Sequence, residues 1–226
     1  MVTRPRDDRR GLAPTAGADG YTLVELLLAS MIGLVLMGGA LTVTHQVTRA
    51  SNVLLDGSAT QEEVQYAIEW MAEAIRPAGA NPYAITTGVC PTAGTVFVPI
   101  AIDPNGTGLA DNIRIKADTN PPNGVLGGVS GACTESGEDV TIAHDRVNFC
   151  ITRRDNNVDA AAVPMTDRVI SALTFRYLDS ARAVTAIAAN VAYVQISVTG
   201  RTVTRDQILA AATAYTLTSE VRVRLR

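Results

Sequence analysis

The pattern of hydrophobic and polar positions changes twice along this chain. From residue 23 to residue 43 the sequence reads LVELLLASMIGLVLMGGALTV, about the 20 residues that cross a ~30 Å hydrocarbon core as a helix. Through residues 44–76 polar and apolar positions interleave, and Val64, Ile68, Met71 and Ile75 recur at spacings of four, three and four. That spacing gathers them on one helical face, while Glu62, Glu63, Glu69 and Glu73 take the others. Pro77 and Gly79 end the pattern, because proline cannot continue a helix and glycine accepts the conformation that terminates one. A helix unbroken from Tyr21 to Arg76 would measure ~84 Å at 1.5 Å per residue, so part of it is expected to project beyond a globular domain. Gly33, Gly38 and Gly39 each lower helix propensity by up to ~1 kcal/mol, and Gly57-Ser58 marks a point of local loosening.

After residue 80 the period becomes two. Strands are expected over residues 95–102, 112–117, 139–143 and 146–152, with a turn at His144-Asp145. Clearer alternation follows in residues 168–178, where Val169, Leu173, Phe175 and Tyr177 share a face, in residues 194–198, and at Val221, Val223 and Leu225. A loop across residues 117–138 contains Pro121-Pro122-Asn123-Gly124 and Gly127-Gly128. An excursion of that length is either functional or loosely ordered. These elements predict an α+β fold: a largely antiparallel sheet whose apolar face packs on Val64, Ile68, Met71 and Ile75.

The 226 residues accommodate one membrane-associated segment and one compact domain. Net charge is −3 and Lys116 is the lone lysine, so no long positive face invites nucleic acid. Ahead of the apolar run, Arg4, Arg6, Arg9 and Arg10 stand against Asp7, Asp8 and Asp19, with Pro5, Gly11 and Pro14 interrupting any regular pattern. Positive charge there orients the run with its N-terminus in the cytoplasm and the remainder outside. Cys90, Cys133 and Cys150 all follow the run. In an oxidising compartment they would give one disulfide and one spare thiol; in a reducing one they are small buried hydrophobes. Cys133 with Cys150 is the favoured pair because the intervening segment can fold back over that distance, with Cys90 as the alternative partner of either.

Little else in the chain carries chemistry. His45 and His144 belong to no metal or triad motif, and no phosphate-binding loop, dinucleotide fingerprint, nucleophile elbow or zinc spacing occurs. No enzyme activity, cofactor or metal is expected. Asp103-Pro104-Asn105-Gly106-Thr107-Gly108, with Asp111 nearby, superficially suggests a calcium loop, but its twelfth position is Arg114 rather than a bidentate glutamate. A turn between strands is the simpler reading.

Glu25 is the exception. A carboxylate at the edge of an apolar run costs roughly 2.5–3.5 kcal/mol if held at mid-bilayer depth. The stretch Gly20-Tyr21-Thr22-Leu23-Val24-Glu25 resembles the class III signal of type IV prepilins and type II secretion pseudopilins, in which glycine and usually phenylalanine precede Thr-Leu-Ile-Glu. Tyrosine and valine are mild departures. Asp19 and a leader of 20 residues depart further from the shorter, basic leaders of that family, and a translation start beyond Met1 would account for the length. Ala67-Ile68-Glu69-Trp70-Met71-Ala72-Glu73-Ala74-Ile75-Arg76-Pro77-Ala78-Gly79 is similar to the helix end of the PilW family and of J-type pseudopilins. Leu173-Thr174-Phe175-Arg176-Tyr177-Leu178-Asp179 and residues 194–198 resemble later segments of the same group.

The resemblance implies a pilin-like fold divided into a cytoplasmic leader (1–20), a transmembrane and assembly helix (21–44), its amphipathic continuation (45–79) and a periplasmic β-rich domain (80–226). It implies cleavage between Gly20 and Tyr21 by prepilin peptidase, N-methylation of Tyr21, and an assembly role for Glu25 against a neighbouring subunit's amine. The implied partners are other minor pilins and the major pilin. The implied location is the inner membrane as a single-pass protein, then the pilus or cell surface. A J-type pseudopilin of type II secretion, or a pilus-tip adhesin using the loop of residues 117–138, are the alternatives.

Overall fold

The computed structural model describes residues 21–84, 87–88, 95–119, 122–127, 134–202 and 214–224. One helix, α1 (Leu23–Ile75), runs through Gly33, Gly38, Gly39 and Gly57 without interruption. The chain divides into two compact units, one ending at Ala50 and the other spanning Ser51–Arg226.

In the second unit the expected helix face is the buried one. Val64, Met71 and Ile75 are fully buried and Ile68 nearly so, joined by Thr60 and Ala67 one turn away. Each such side chain contributes roughly 1.5–3 kcal/mol when withdrawn from water. The helix ends where Pro77 requires it, in a turn closed by Ala78 N–H donating to the Ile75 carbonyl at 2.9 Å. Gly79 follows at φ +80°, and a Cβ there would lie 2.7 Å from the Arg224 carbonyl oxygen. Only glycine fits both the left-handed backbone and that close approach.

Among the described residues the β-region is two sheets and a small hairpin rather than one sheet. A hairpin joins β1 (Thr87–Gly88) to β2 (Thr95–Val96). A five-stranded antiparallel meander follows: β3 (Ile100–Ile102), β4 (Asn112–Lys116), β5 (Asp139–Asp145), β6 (Cys150–Asp155) and β7 (Val163–Pro164). The second sheet contains β8 (Ile170–Leu178), β9 (Tyr193–Gly200) and β10 (Tyr215–Arg222) in the order β10-β9-β8.

Proline explains both divisions. Pro99 breaks the expected strand 95–102, so its first part pairs in the hairpin and its last part pairs with β4. Pro164 sits in the edge strand β7, where a residue without an N–H is tolerated. The sheet ends there and the next strand opens a new one.

The sheets meet along β8. Phe175 N–H donates to the Ala110 carbonyl at 2.6 Å and Ile170 N–H to that of Phe149 at 2.8 Å. The Tyr177 hydroxyl donates to the Asn112 carbonyl at 3.3 Å, and burial, with the Asp103 charge second, pushes that phenol well above its ordinary value. Phe175, Leu173, Val194, Ile196 and Val198 share one core with the buried helix face.

Two boundaries differ from expectation for local reasons. The turn expected at His144-Asp145 falls four residues later by its close, because β5 continues to Asp145 and β6 begins at Cys150. Asp145 accepts from the Val147 and Asn148 N–H groups, each at 2.9 Å, and from the Asn148 amide at 2.7 Å. These bonds hold its carboxyl below the usual range, the Asn148 side chain first. The last strand lies upstream of the expected Val221–Val223–Leu225 alternation, at Tyr215–Arg222; Leu225 falls outside the described residues.

Candidate functional site

The candidate site is the start of α1. Thr22 occupies the cap position: Leu26 N–H donates to its carbonyl at 3.2 Å, the first bond of the helix. Its Oγ1 accepts from Glu25 N–H at 3.3 Å, and Glu25 Oε2 in return accepts from Thr22 N–H at 3.0 Å and from Thr22 Oγ1 at 3.1 Å. This is a capping box, in which residues three apart satisfy each other's otherwise unpaired N–H groups. The carboxylate also lies at the positive end of the helix dipole, which favours negative charge.

The spacing Thr-x-x-Glu is readable in the sequence, where the resemblance implies an intersubunit pair for Glu25 and gives Thr22 only its place in the motif. The structure gives Glu25 a partner within its own chain. It also leaves an acceptor over, since both bonds fall on Oε2 and none on Oε1 among the described residues. Tyr21 is 90% exposed, and Gly20 falls outside the described residues.

Beyond the cap, α1 presents apolar side chains outward on every face. Leu23, Leu34, Val35 and Leu36 are each about two-thirds exposed or more, and none of its most apolar stretch is buried among the described residues. The hydroxyls along it are spent internally: Ser30 donates to the Leu27 carbonyl, Thr42 to Gly38 and Thr44 to Ala40, all at 2.8–2.9 Å. A helix with satisfied backbone and hydroxyls suits hydrocarbon, where an unpaired polar group costs several kcal/mol. The chain therefore carries, near its N-terminus, one helix long and apolar enough to cross a membrane.

The other candidates have structural roles. Asp103 Oδ1 accepts from Thr107 N–H, Thr107 Oγ1 and the Asn112 amide at 2.9–3.0 Å, and Oδ2 accepts from Gly108 N–H at 2.6 Å. The Asn112 bond leads in lowering its pKa to about 2, ahead of the backbone donors and against some desolvation. A cation would have to displace those donors, so the loop is the turn expected of it. Arg114, at the position where a calcium loop needs glutamate, forms a bidentate pair with Asp139 at 2.6 Å. His144 lies in β5 rather than in a turn, and its Nε2 bonds the Ile170 carbonyl at 3.1 Å. His45 is an exposed residue of α1.

Cys150 is a buried free thiol, and burial pushes its pKa up; Cys90 and Cys133 fall outside the described residues. The described part of the long loop is pinned at its base. Asp118 accepts from Asn123 and Gly124 N–H at 3.1 and 2.9 Å, and Glu138 from Thr119 and Gly127 N–H at 3.1 and 2.7 Å.

No family model, characterised protein or solved structure matches this chain.

Proposed function

We propose that this chain is a minor type IV pilin of the PilW kind, a subunit that joins other minor pilins in the complex that initiates or caps a pilus. The observation that carries this reading is the union, in one helix, of two properties. Its first half is apolar, exposed and headed by Gly20-Tyr21-Thr22-Leu23-Val24-Glu25, and its second half is buried in an α+β domain.

On this reading the precursor inserts in the inner membrane with its N-terminus in the cytoplasm and residues 80–226 in the periplasm. Prepilin peptidase cuts between Gly20 and Tyr21, and Tyr21 is then N-methylated. Glycine leaves the scissile bond unobstructed, and the cut keeps the apolar helix attached to the domain. The new amine of a neighbouring subunit meets Glu25 Oε1, the oxygen that the capping box leaves over. In a low-dielectric helix bundle an opposite charge at that position is strongly favoured, so the pair sets the register of one subunit on the next.

The same residues support a J-type pseudopilin of a type II secretion system, because the helix-end sequence Ile75-Arg76-Pro77-Ala78-Gly79 resembles both groups. Deleting the gene separates them: loss of surface pili with normal secretion supports the pilin, and loss of secretion with normal pili supports the pseudopilin. Glu25→Ala tests the assembly contact itself. The variant is expected to be processed but missing from sheared pili, and its recovery there in normal amounts would contradict the role.

A further inference from the structure

Two features of the three-stranded sheet adjoin one another and remain unused by the proposed assembly contact. The first is the outer edge of β10, which pairs with β9 alone among the described residues. Val223 N–H donates to the Ala192 carbonyl at 2.9 Å across that pair. Backbone groups of an antiparallel strand face alternate sides with period two. Those of residues 215, 217, 219 and 221 therefore face β9, and those of Thr216, Thr218, Glu220 and Arg222 face away. The outward set has no backbone partner among the described residues. Exposed edges are usually guarded by charged side chains, lysine above all, by proline or by a bulge; β10 runs for 8 residues with no proline or lysine, its charges being Glu220 and Arg222 near one end, and keeps an unbroken register with β9.

The second feature is an open cleft of about 870 Å³ where β10 ends, lined among others by Glu73, Arg76, Tyr193, Arg222 and Arg224. All three arginines are exposed. Arg114, Arg146, Arg153 and Arg182 each pair with a carboxylate, whereas Arg76, Arg222 and Arg224 pair with none among the described residues. Glu73 is the one carboxylate among the described lining residues, so these residues carry excess positive charge facing solvent.

We propose that β10 and this cleft together bind an extended, acidic segment of a partner polypeptide. The segment adds as a strand on the outer edge of β10 and places its carboxylates on Arg76, Arg222 and Arg224. The edge selects a polypeptide, since only a peptide backbone supplies donors and acceptors at strand spacing. The cleft selects acid, since guanidinium forks match carboxylates in bidentate geometry. An anionic polysaccharide satisfies the second requirement and fails the first.

The test uses full-length protein in detergent micelles and a fluorescent peptide of roughly a dozen residues alternating threonine and glutamate, followed by anisotropy at low salt. Binding is expected, and it should weaken about tenfold or more when glutamine replaces glutamate in the peptide and in the Arg222→Gln/Arg224→Gln protein. Thr218→Pro should weaken it similarly, because residue 218 directs its N–H outward, so proline there removes the edge donor and leaves the backbone bonds to β9, with only the side-chain bond from the Thr218 hydroxyl to Ser197 Oγ lost on that side. Thermal unfolding verifies that each variant is folded, and the exposed arginine pair keeps the test valid if Thr218→Pro is not. An oligouronate of matched charge should compete poorly. Failure of the peptide to bind, undiminished binding by the arginine variant or by folded Thr218→Pro, or equal competition by the oligouronate would each overturn the proposal.

Discussion

Leu34 and Met71 lie on one helix and meet opposite surroundings. Leu34 is 70% exposed and Met71 is 0% exposed, although both are large and apolar. Around Met71 the chain supplies its own cover, the buried core that the helix face shares with both sheets. Around Leu34 the described residues supply none. Apolar surface shown on every side of a helix suits lipid or other helices, so the first half of α1 is long and apolar enough to cross a membrane, whereas the second half is buried by the chain itself.

The largest effects should come from breaking that difference. Met71→Ala is expected to destabilise the β-rich unit by about 2–5 kcal/mol, the range for emptying a closed core position. Leu34→Ala should leave it unchanged, and denaturant melts of the full-length protein in detergent compare the two. Equal effects would mean that the halves share one folding unit.

Glycine substitutions sharpen the contrast because their signs differ. A Cβ on Gly200 would sit 2.6 Å from the Thr60 methyl and 2.7 Å from a Val64 methyl, so Gly200→Ala should cost about 1–3 kcal/mol by overpacking. Gly38 has nothing within 4 Å of such an atom. Gly38→Ala should therefore raise helix stability by up to ~1 kcal/mol, visible as slower amide exchange through its neighbours.

At the head of the helix, Thr22→Ala removes the cap and should cost about 0.5–2 kcal/mol of local stability. Faster amide exchange in the first turn would report it, with processing between Gly20 and Tyr21 continuing. The smallest effect concerns the turn after β3. Asp103 has a folded pKa of about 2, below the ~3.9 of an unfolded aspartate. Its contribution to stability is complete above the unfolded value and is lost as pH falls through the folded one. Asp103→Asn should flatten the loss of stability in that acidic window, which melts at stepped pH would measure.

How much of this was legible in the sequence depended on where each residue's partner lay. The buried face Val64–Ile68–Met71–Ile75 follows from helical spacing, the helix end from Pro77, and strands β8 and β9 from period-two alternation. The capping box was also written in the spacing of Thr22 and Glu25. The partner on a neighbouring subunit that the resemblance implies for the same carboxylate lies outside the chain, where spacing does not reach. The turn after β5 was hidden, since Asp145 sets it through side-chain bonds to Val147 and Asn148 that hydrophobic periodicity does not encode. The division into two sheets was hidden too. Pro164 signals an edge, but which strand lies beside it depends on pairings distant in sequence.

The most direct test of the central claim is the N-terminal sequence and intact mass of the protein recovered from its native membrane. The proposed function requires a chain beginning at N-methylated Tyr21, with the precursor heavier by about 2 kDa, the share of 20 leader residues in a 226-residue chain of 23.8 kDa. A chain still carrying residues 1–20, or one beginning beyond Ala40 with its apolar helix removed, would contradict it.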